Sequence, residues 1–256
     1  MTDAIPRANI LGVAISAINL GRAVEAIEGW LTRGEHNYIC VTPAHGVMDC
    51  QRDPELKRIF NHSGLTTPDG MSIVWLLKWK GYRHVERVYG PDLLLALCER
   101  SLETGWRHFF YGGAPGVAER LSARLVARFP RLQVAGAYAP PFRPITEDED
   151  RAITNSINAA DPDIVWVGLS TPKQERWMAG HIGRLNVPVL VGVGAAFDFL
   201  SGSKPHAPRW IQRFGFEWLF RLVTEPRRLW RRYIQYPYFL WLVLGQILGL
   251  KHYPVD

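Results

Sequence analysis

An aspartate sits between a proline and a glycine in Thr66-Thr67-Pro68-Asp69-Gly70, directly ahead of an apolar run, MSIVWLLKWKG (71–81). Ile73, Val74, Leu76 and Leu77 fall in that run at the i, i+3, i+4 spacings of a buried helical face, which places Asp69 at or near a helix start. Two kinds of chemistry fit the position. One is capping, in which an aspartate accepts hydrogen bonds from the free N–H groups of a first turn and complements its positive end. The other is proton transfer by a carboxylate held on a stiff turn. The local sequence favours the cap, and the choice depends on what else the chain brings to the same place.

Three further stretches carry polar chemistry. YGGAPG (111–116) is a glycine-rich turn that opens a helix, the arrangement by which backbone N–H groups approach a phosphate. Tight-turn glycines are common, so this signal is weak alone. GLSTPKQE (168–175) presents a cation and an amide, Lys173 and Gln174, on one strand-to-helix turn, with solvated first-turn side chains as the competing reading. Asp161-Pro162-Asp163 has the D-x-D pattern of a metal-binding motif, but it precedes a strand and so falls at the amino end of a sheet, where turn chemistry is the better reading. His45 and His206 lie near candidate sites without an H-x-x-H or a paired carboxylate. No metal centre and no cofactor is therefore expected.

The elements that must position these residues follow from the apolar pattern. Residues 8–15 read as one short strand, 19–34 as an amphipathic helix with Ala23, Ala26, Ile27 and Trp30 inward, and 37–48 as an apolar strand running into a proline-containing loop. Residues 54–64 and 90–105 read as helices ended by glycines. From 107 the alternation becomes regular, with strands at 107–112, 132–138, 163–169 and 187–194 and helices at 115–129, 147–160 and 172–185. Continuous apolar strands alternating with amphipathic helices imply an α/β fold, a Rossmann-like parallel sheet with helices on both faces. Ligands of such sheets sit beyond the carboxyl ends of the strands. That rule selects Thr42, Gly112, Gly113, Tyr138, Ser170, Lys173, Gln174 and Asp198.

Composition divides the chain further. Residues 1–203 balance at 21 basic and 21 acidic side chains, whereas 204–256 hold nine basic residues against Glu217, Glu225 and Asp256, together with 12 of the chain's 30 aromatic residues. The expected organisation is a Rossmann-like core over 1–203 and a basic, aromatic helical appendage over 204–256. In the appendage Trp210, Phe214, Trp218 and Leu222 recur every four residues, interleaved with Arg209, Arg213, Arg221, Arg227, Arg228, Arg231 and Arg232. The uncharged run 233–250 contains Gln235, Pro237 and Gln246, and its most apolar part falls short of the roughly 20 residues a spanning helix needs. Helices lying in an anionic membrane interface fit this pattern best, with core packing as a competing use of the apolar face. No recognition motif accompanies the charge, so nucleic acid is not an expected partner. Three cysteines without metal-ligand spacing and an N-terminus without an export signal point to the cytoplasm, with the appendage on the inner face of the membrane.

Taken together, TPDGMSIVW (67–75), RVYGPDLL (87–94), FFYGGAPGVAERL (109–121), DIVWVGLSTPKQERWM (163–178), GVGAAFDFLSG (192–202) and APRWIQRFGFEWLFRLVTEPRR (207–228) resemble the WecG/TagA/CpsF family of bacterial glycosyltransferases. The resemblance covers nearly the whole chain in the expected order. It implies inverting transfer of a hexose or N-acetylhexosamine-type sugar (N-acetylmannosamine, its uronate, or glucose) from a UDP-sugar to a polyprenyl-diphosphate-linked saccharide, in cell-surface polysaccharide synthesis. It also implies a catalytic base at Asp69 and active-site positions at Thr42, Arg87 and Gln174. Arg87 and the Gly112–Gly113 amides are then expected to stabilise charge on the departing diphosphate, and Arg209, Arg213 and Arg221 to reach the acceptor diphosphate. The family pattern usually has an asparagine two residues after Thr42, where this chain has Ala44 followed by His45, and donor contacts are expected to differ there. A homo-oligomer stays open.

Two other function classes compete. A Rossmann-like enzyme using NAD or S-adenosylmethionine would place its cofactor on the glycine-rich turn, but Gly112–Gly113 is not G-x-G-x-x-G and no acidic ribose partner is evident. A non-catalytic membrane-docked module would need neither Asp69 nor the P-K-Q-E turn.

Overall fold

The computed structural model describes residues 5–255. The chain opens with β1 (Arg7–Ile10) and β2 (Val13–Ser16), followed by α1 (Leu20–Arg33), β3 (Asn37–Thr42), α2 (Ala44–Cys50), α3 (Pro54–His62), β4 (Leu65–Pro68) and α4 (Met71–Trp79). After α5 (Gly90–Thr104) come β5 (Arg107–Gly112), α6 (Val117–Arg128), β6 (Gln133–Tyr138), α7 (Glu147–Ala160), β7 (Ile164–Gly168), α8 (Lys173–His181), β8 (Val189–Gly192) and α9 (Ala196–Leu200). The C-terminal helices are α10 (Arg209–Arg213), α11 (Glu217–Thr224), α12 (Pro226–Tyr233) and α13 (Tyr236–Ile247).

The expected Rossmann-like sheet is present, in the order β4-β3-β8-β7-β5-β6. β3 pairs with β8, β8 with β7, β7 with β5 and β5 with β6, all in parallel. Ile164, Val165, Trp166 and Val167 of the central strand β7 are fully buried, which is why these strands read as continuous apolar runs without alternation.

The chain forms two compact units, one of Met1–Asn19, Val41–Tyr89 and Pro205–Asp256, the other of Leu20–Cys40 and Gly90–Lys204. In the second unit, a chain of hydrogen bonds joins three buried polar side chains inside the core. The Trp166 Nε1–H donates to His108 Nδ1 at 2.9 Å, and His108 Nε2 lies 2.8 Å from the Ser101 hydroxyl. Burial pushes the His108 pKa down to about 3, so the ring is neutral. Asp161 and Asp163 tie down the start of β5: Asp163 Oδ2 accepts the Arg107 N–H at 2.7 Å, and Asp161 Oδ2 meets Arg107 Nη1 at 3.2 Å. Cys40, Cys50 and Cys98 are buried thiols, and burial raises Cys98 to about 12.

The first unit departs from the sequence reading in three places. Residues 8–15 form a hairpin instead of one strand, because Leu11 and Gly12 turn the chain with φ of 53° and 82°. Residues after Pro43 form the short helix α2 where a loop is expected. Leu65–Pro68 is a buried strand that its two threonines disguise. The helices after 204 are integral to this unit: α13 buries Phe239, Leu242 and Val243, Gln246 Oε1 accepts the Leu11 N–H at 3.0 Å, and the Tyr253 carbonyl accepts from Asn9 Nδ2 at 2.6 Å. Among the described residues no helix is long and apolar enough to cross a membrane.

Candidate active site

β4 delivers Asp69 to its position. Thr66 is held inside the unit by its own hydroxyl, which donates to the Phe60 carbonyl at 2.9 Å, and by its N–H on the Ser16 hydroxyl at 3.1 Å. At the strand's end the main chain is fixed from both sides, since Asp69 N–H donates to the Thr42 carbonyl (3.2 Å) and Val88 N–H to the Pro68 carbonyl (2.9 Å). Thr42, fully buried at the end of β3, thus positions Asp69 through its backbone.

The capping expectation is corrected here. The N-cap residue of α4 is Gly70, and it makes no side-chain cap. The Asp69 carboxylate turns instead toward Arg87, whose Nε donates to the Asp69 carbonyl while its Nη2 lies 3.3 Å from Asp69 Oδ1. The same Nη2 is 2.7 Å from Oε2 of Glu217, the first residue of α11. Glu217 is held in turn: its Oε1 accepts the Tyr89 hydroxyl at 3.0 Å, and that hydroxyl lies 3.0 Å from His206 Nε2. The Arg87 guanidinium carbon stands 3.9 Å from the centre of the Tyr89 ring, and the His206 ring stacks on that ring at 5.7 Å.

All three charged side chains are largely withdrawn from water, with 19 % of Asp69, 16 % of Arg87 and 10 % of Glu217 exposed. Burial drives the Asp69 pKa up, Arg87 opposes, Glu217 adds to the rise and Arg221 opposes it, and the carboxyl settles at about 6. Burial also works against the charge on Arg87, but Asp69 and Glu217 overcome it and keep the guanidinium ionised. Tyr89 is pushed up by burial and then by Glu217, so it remains a hydroxyl donor. A carboxylate poised near 6 beside a fixed cation has the properties of a general base at neutral pH.

Of the basic residues expected at this site, Arg87 and Arg221 act on Asp69. Arg209, Arg213, Arg227, Arg228 and Arg231 are exposed, and Arg228 pairs with Glu225 at 2.6 Å. Arg232 lies near His45, which burial and then the charges of Arg232 and Arg221 lower to about 3, leaving it neutral. Glu217, Tyr89 and His206 complete the network without having been singled out as site residues from the sequence. Glu217 and Arg221, four apart on one helix, and Arg87 and Tyr89, two apart just ahead of α5, are the available signals.

The remaining expected residues lie in the second unit. Gly112 and Gly113 close β5 with φ of 129° and 79°, and a Cβ on Gly112 would lie 2.7 Å from the Gly168 backbone, so only glycine fits the turn. Gln174 is buried at the start of α8: its Nε2 donates to Glu175 Oε1 at 3.0 Å, while its Oε1 has no hydrogen-bond partner among the described residues. A buried amide oxygen left open is a ready acceptor for a ligand donor. Lys173 is exposed at the first position of the same helix, Ser170 adopts φ 65°, and Asp198 pairs with Lys204 at 2.6 Å. Tyr138, 38 % exposed, is the outer ring of a stack that continues through Tyr111 (6.1 Å), Trp177 (4.3 Å) and His181 (4.2 Å), with His181 fixed by Asp150 at 2.9 Å. The stack ends in a ring that remains partly exposed.

A family model described as glycosyl transferase WecG/TagA/CpsF matches residues 8–253. The chain belongs to this family. It is a glycosyltransferase, as the motifs around Asp69, Gln174 and Glu217 lead one to expect. Among curated proteins it is similar to an N-acetylglucosaminyldiphosphoundecaprenol N-acetyl-beta-D-mannosaminyltransferase from Bacillus spizizenii, 31% identical over 196 residues that cover 77% of this chain and 74% of the relative. A protein of the same description from Bacillus subtilis is 28% identical over 196 residues, covering 76% and 74%.

Proposed function

We propose that the chain transfers an N-acetylmannosamine-type sugar from a UDP-sugar to a polyprenyl-diphosphate-linked N-acetylglucosamine, with inversion, at the inner face of the cell membrane. The activities for which the two Bacillus relatives are named support the acceptor and the sugar. The observation that carries the chemistry is Asp69, buried, paired with Arg87 and raised to about 6.

In this reading the acceptor hydroxyl oxygen attacks the anomeric carbon and its proton passes to the Asp69 carboxylate. The bond from the anomeric carbon to the diphosphate oxygen breaks, and its electron pair leaves with UDP. Proton transfer to a positioned base of this kind typically contributes about 10²–10⁴ in rate, and Arg87 holds the carboxylate in place. Arg87 is suited to the charge that grows on the leaving diphosphate. The backbone N–H groups of the Gly112–Gly113 turn are suited to a phosphate of the donor. Tyr138 offers its ring to the nucleobase, and the open Gln174 oxygen, with Lys173 and Asp198, serves donor recognition. Transfer proceeds without a bound metal or other cofactor. The basic and aromatic residues of 204–256, Arg227, Arg228, Arg231 and Arg232 among them, bring the enzyme to the anionic bilayer in which the acceptor is anchored.

Thermal denaturation with UDP, NAD and S-adenosylmethionine tests the donor assignment. A ligand at 100 times its Kd stabilises the folded state by about 2.7 kcal/mol. UDP is expected to raise the melting temperature and the other two to leave it unchanged; stabilisation by NAD or S-adenosylmethionine without UDP would overturn the reading.

A further inference from the structure

The outer face of α4 carries an unusual pair of side chains. Ile73, Val74 and Leu77 are buried, while Trp75 and Trp79, one turn apart, are 55 % and 63 % exposed. Single exposed apolar residues are common on protein surfaces, but a contiguous apolar face marks an interaction site. The face is contiguous because the turn joining α10 to α11 lies against it. A Cβ on Gly215 would stand 3.0 Å from Trp75 Cη2 and 3.3 Å from Met71 Cβ, so glycine permits the close approach. On either side of that glycine, Phe214 and Phe216 are 67 % and 52 % exposed, and nearby Trp210 is 61 % exposed.

Within the two segments that form this surface the charges have one sign. Segments 71–83 and 209–216 contain Lys78, Lys80, Arg83, Arg209 and Arg213 and no acidic residue. Tryptophans flanked by lysines and arginines suit a bilayer interface, where the indole rests at headgroup level and the cations meet anionic lipid. Asp69 precedes α4 by two residues, and at the helical rise of ~1.5 Å per residue Trp75 lies roughly 10 Å along the chain from it.

We propose that the outer face of α4 is itself a membrane-contact surface, continuous with the aromatic turn 214–216, which takes an anionic phospholipid interface as its partner. The inference rests on the reading that the acceptor is membrane-anchored, and it adds that the helix beginning beside the catalytic base enters the headgroup layer. Docking through α4, whose first residue follows Asp69 by two positions, ties the depth of Asp69 directly to the bilayer surface and so sets its height relative to the lipid diphosphate.

The test uses the full chain in two forms. Trp75→Ser/Trp79→Ser is compared with the unsubstituted protein in cosedimentation with phosphatidylcholine vesicles containing phosphatidylglycerol. Separately, Trp79→Cys is labelled with an environment-sensitive fluorophore, which the buried native thiols allow, beside a control label at Glu103→Cys. Vesicle affinity is expected to fall roughly tenfold or more in the double variant. The label at 79 is expected to shift to the blue on adding vesicles, and the label at 103 to stay unchanged. Unchanged affinity together with a silent label at 79 overturns the inference while leaving docking through the rest of 204–256 intact. Failure of the unsubstituted protein to bind vesicles defeats the underlying reading too. A shift at 79 that follows protein concentration and not lipid assigns the face to contacts between copies of the chain and also overturns the proposal.

Discussion

Arg87 Nη2 stands 2.7 Å from Glu217 Oε2, closer than the 3.3 Å that separates it from Asp69 Oδ1. The cation that faces the proposed base is therefore anchored by a residue 130 positions further along the chain. Replacing Glu217 by Gln should loosen that anchor while keeping an oxygen for the Tyr89 hydroxyl. A hydrogen bond to a charged group contributes about 1.5–3 kcal/mol, so turnover should fall by roughly ten- to a hundredfold. Because Glu217 raises the Asp69 pKa, its neutralisation should also move the acid limb of the pH–rate profile to lower pH. A loss of turnover with no movement of that limb would show that Glu217 acts through folding alone.

Asp69→Asn separates catalysis from stability. Turnover should drop by roughly two to four orders of magnitude, as expected on removing a general base. Stability should move the other way. The carboxyl rises from 3.8 to about 6 on folding, so the folded protein holds this proton more tightly than the unfolded chain and loses stability as pH rises through that window. Asparagine mimics the protonated form, and at pH 8 it should stabilise by up to ~3 kcal/mol, with the difference vanishing near pH 3. A melting temperature at pH 8 below that of the unsubstituted protein would contradict the assignment of Asp69 as a buried, ionised group.

The unsubstituted enzyme should show a single ascending limb in kcat/KM centred near pH 6, reporting Asp69 in the free protein. His45 and His108, both held near 3, should contribute nothing between pH 5 and 8. A limb that disappears in His206→Gln but persists in Glu217→Gln would reassign the titration.

Reversal of Arg227, Arg228, Arg231 and Arg232 to Glu should weaken binding to anionic vesicles, with little effect on neutral ones. Each basic residue near such a surface contributes about 1 kcal/mol, and the attraction is screened by salt. Sedimentation at low and high salt measures both effects. Binding to anionic vesicles that survives reversal would leave the apolar face as the main contact.

The sequence made some of this legible and hid the rest for identifiable reasons. Strands β7 and β8 are readable because a parallel strand covered on both faces is apolar along its length, and β5 is readable from its Phe109-Phe110-Tyr111 run. β4 is not, since Thr66 and Thr67 look like loop residues until the Thr66 hydroxyl finds the Phe60 carbonyl. α2 was hidden by Pro43, which reads as a loop signal but here stands at the helix N-cap. Asp69 was correctly placed beside a helix start, yet its partner could not be read locally, because a carboxylate before an apolar helix is usually a cap and only the folded chain brings Arg87 and Glu217 to it. Glu217 lies in a segment whose basic and aromatic excess points to membranes, and its pairing with Arg87 has no local signal because the two are 130 positions apart.

The most direct measurement is a transfer assay with UDP-N-acetylmannosamine and a short-chain polyprenyl-diphosphate-N-acetylglucosamine in the presence of EDTA, followed by mass spectrometry of the lipid product. The account predicts a product heavier by one N-acetylhexosamine, formed without added metal, and its near absence with Asp69→Asn. No transfer by the unsubstituted enzyme, restoration only by magnesium or manganese, or an undiminished rate with Asp69→Asn would contradict it.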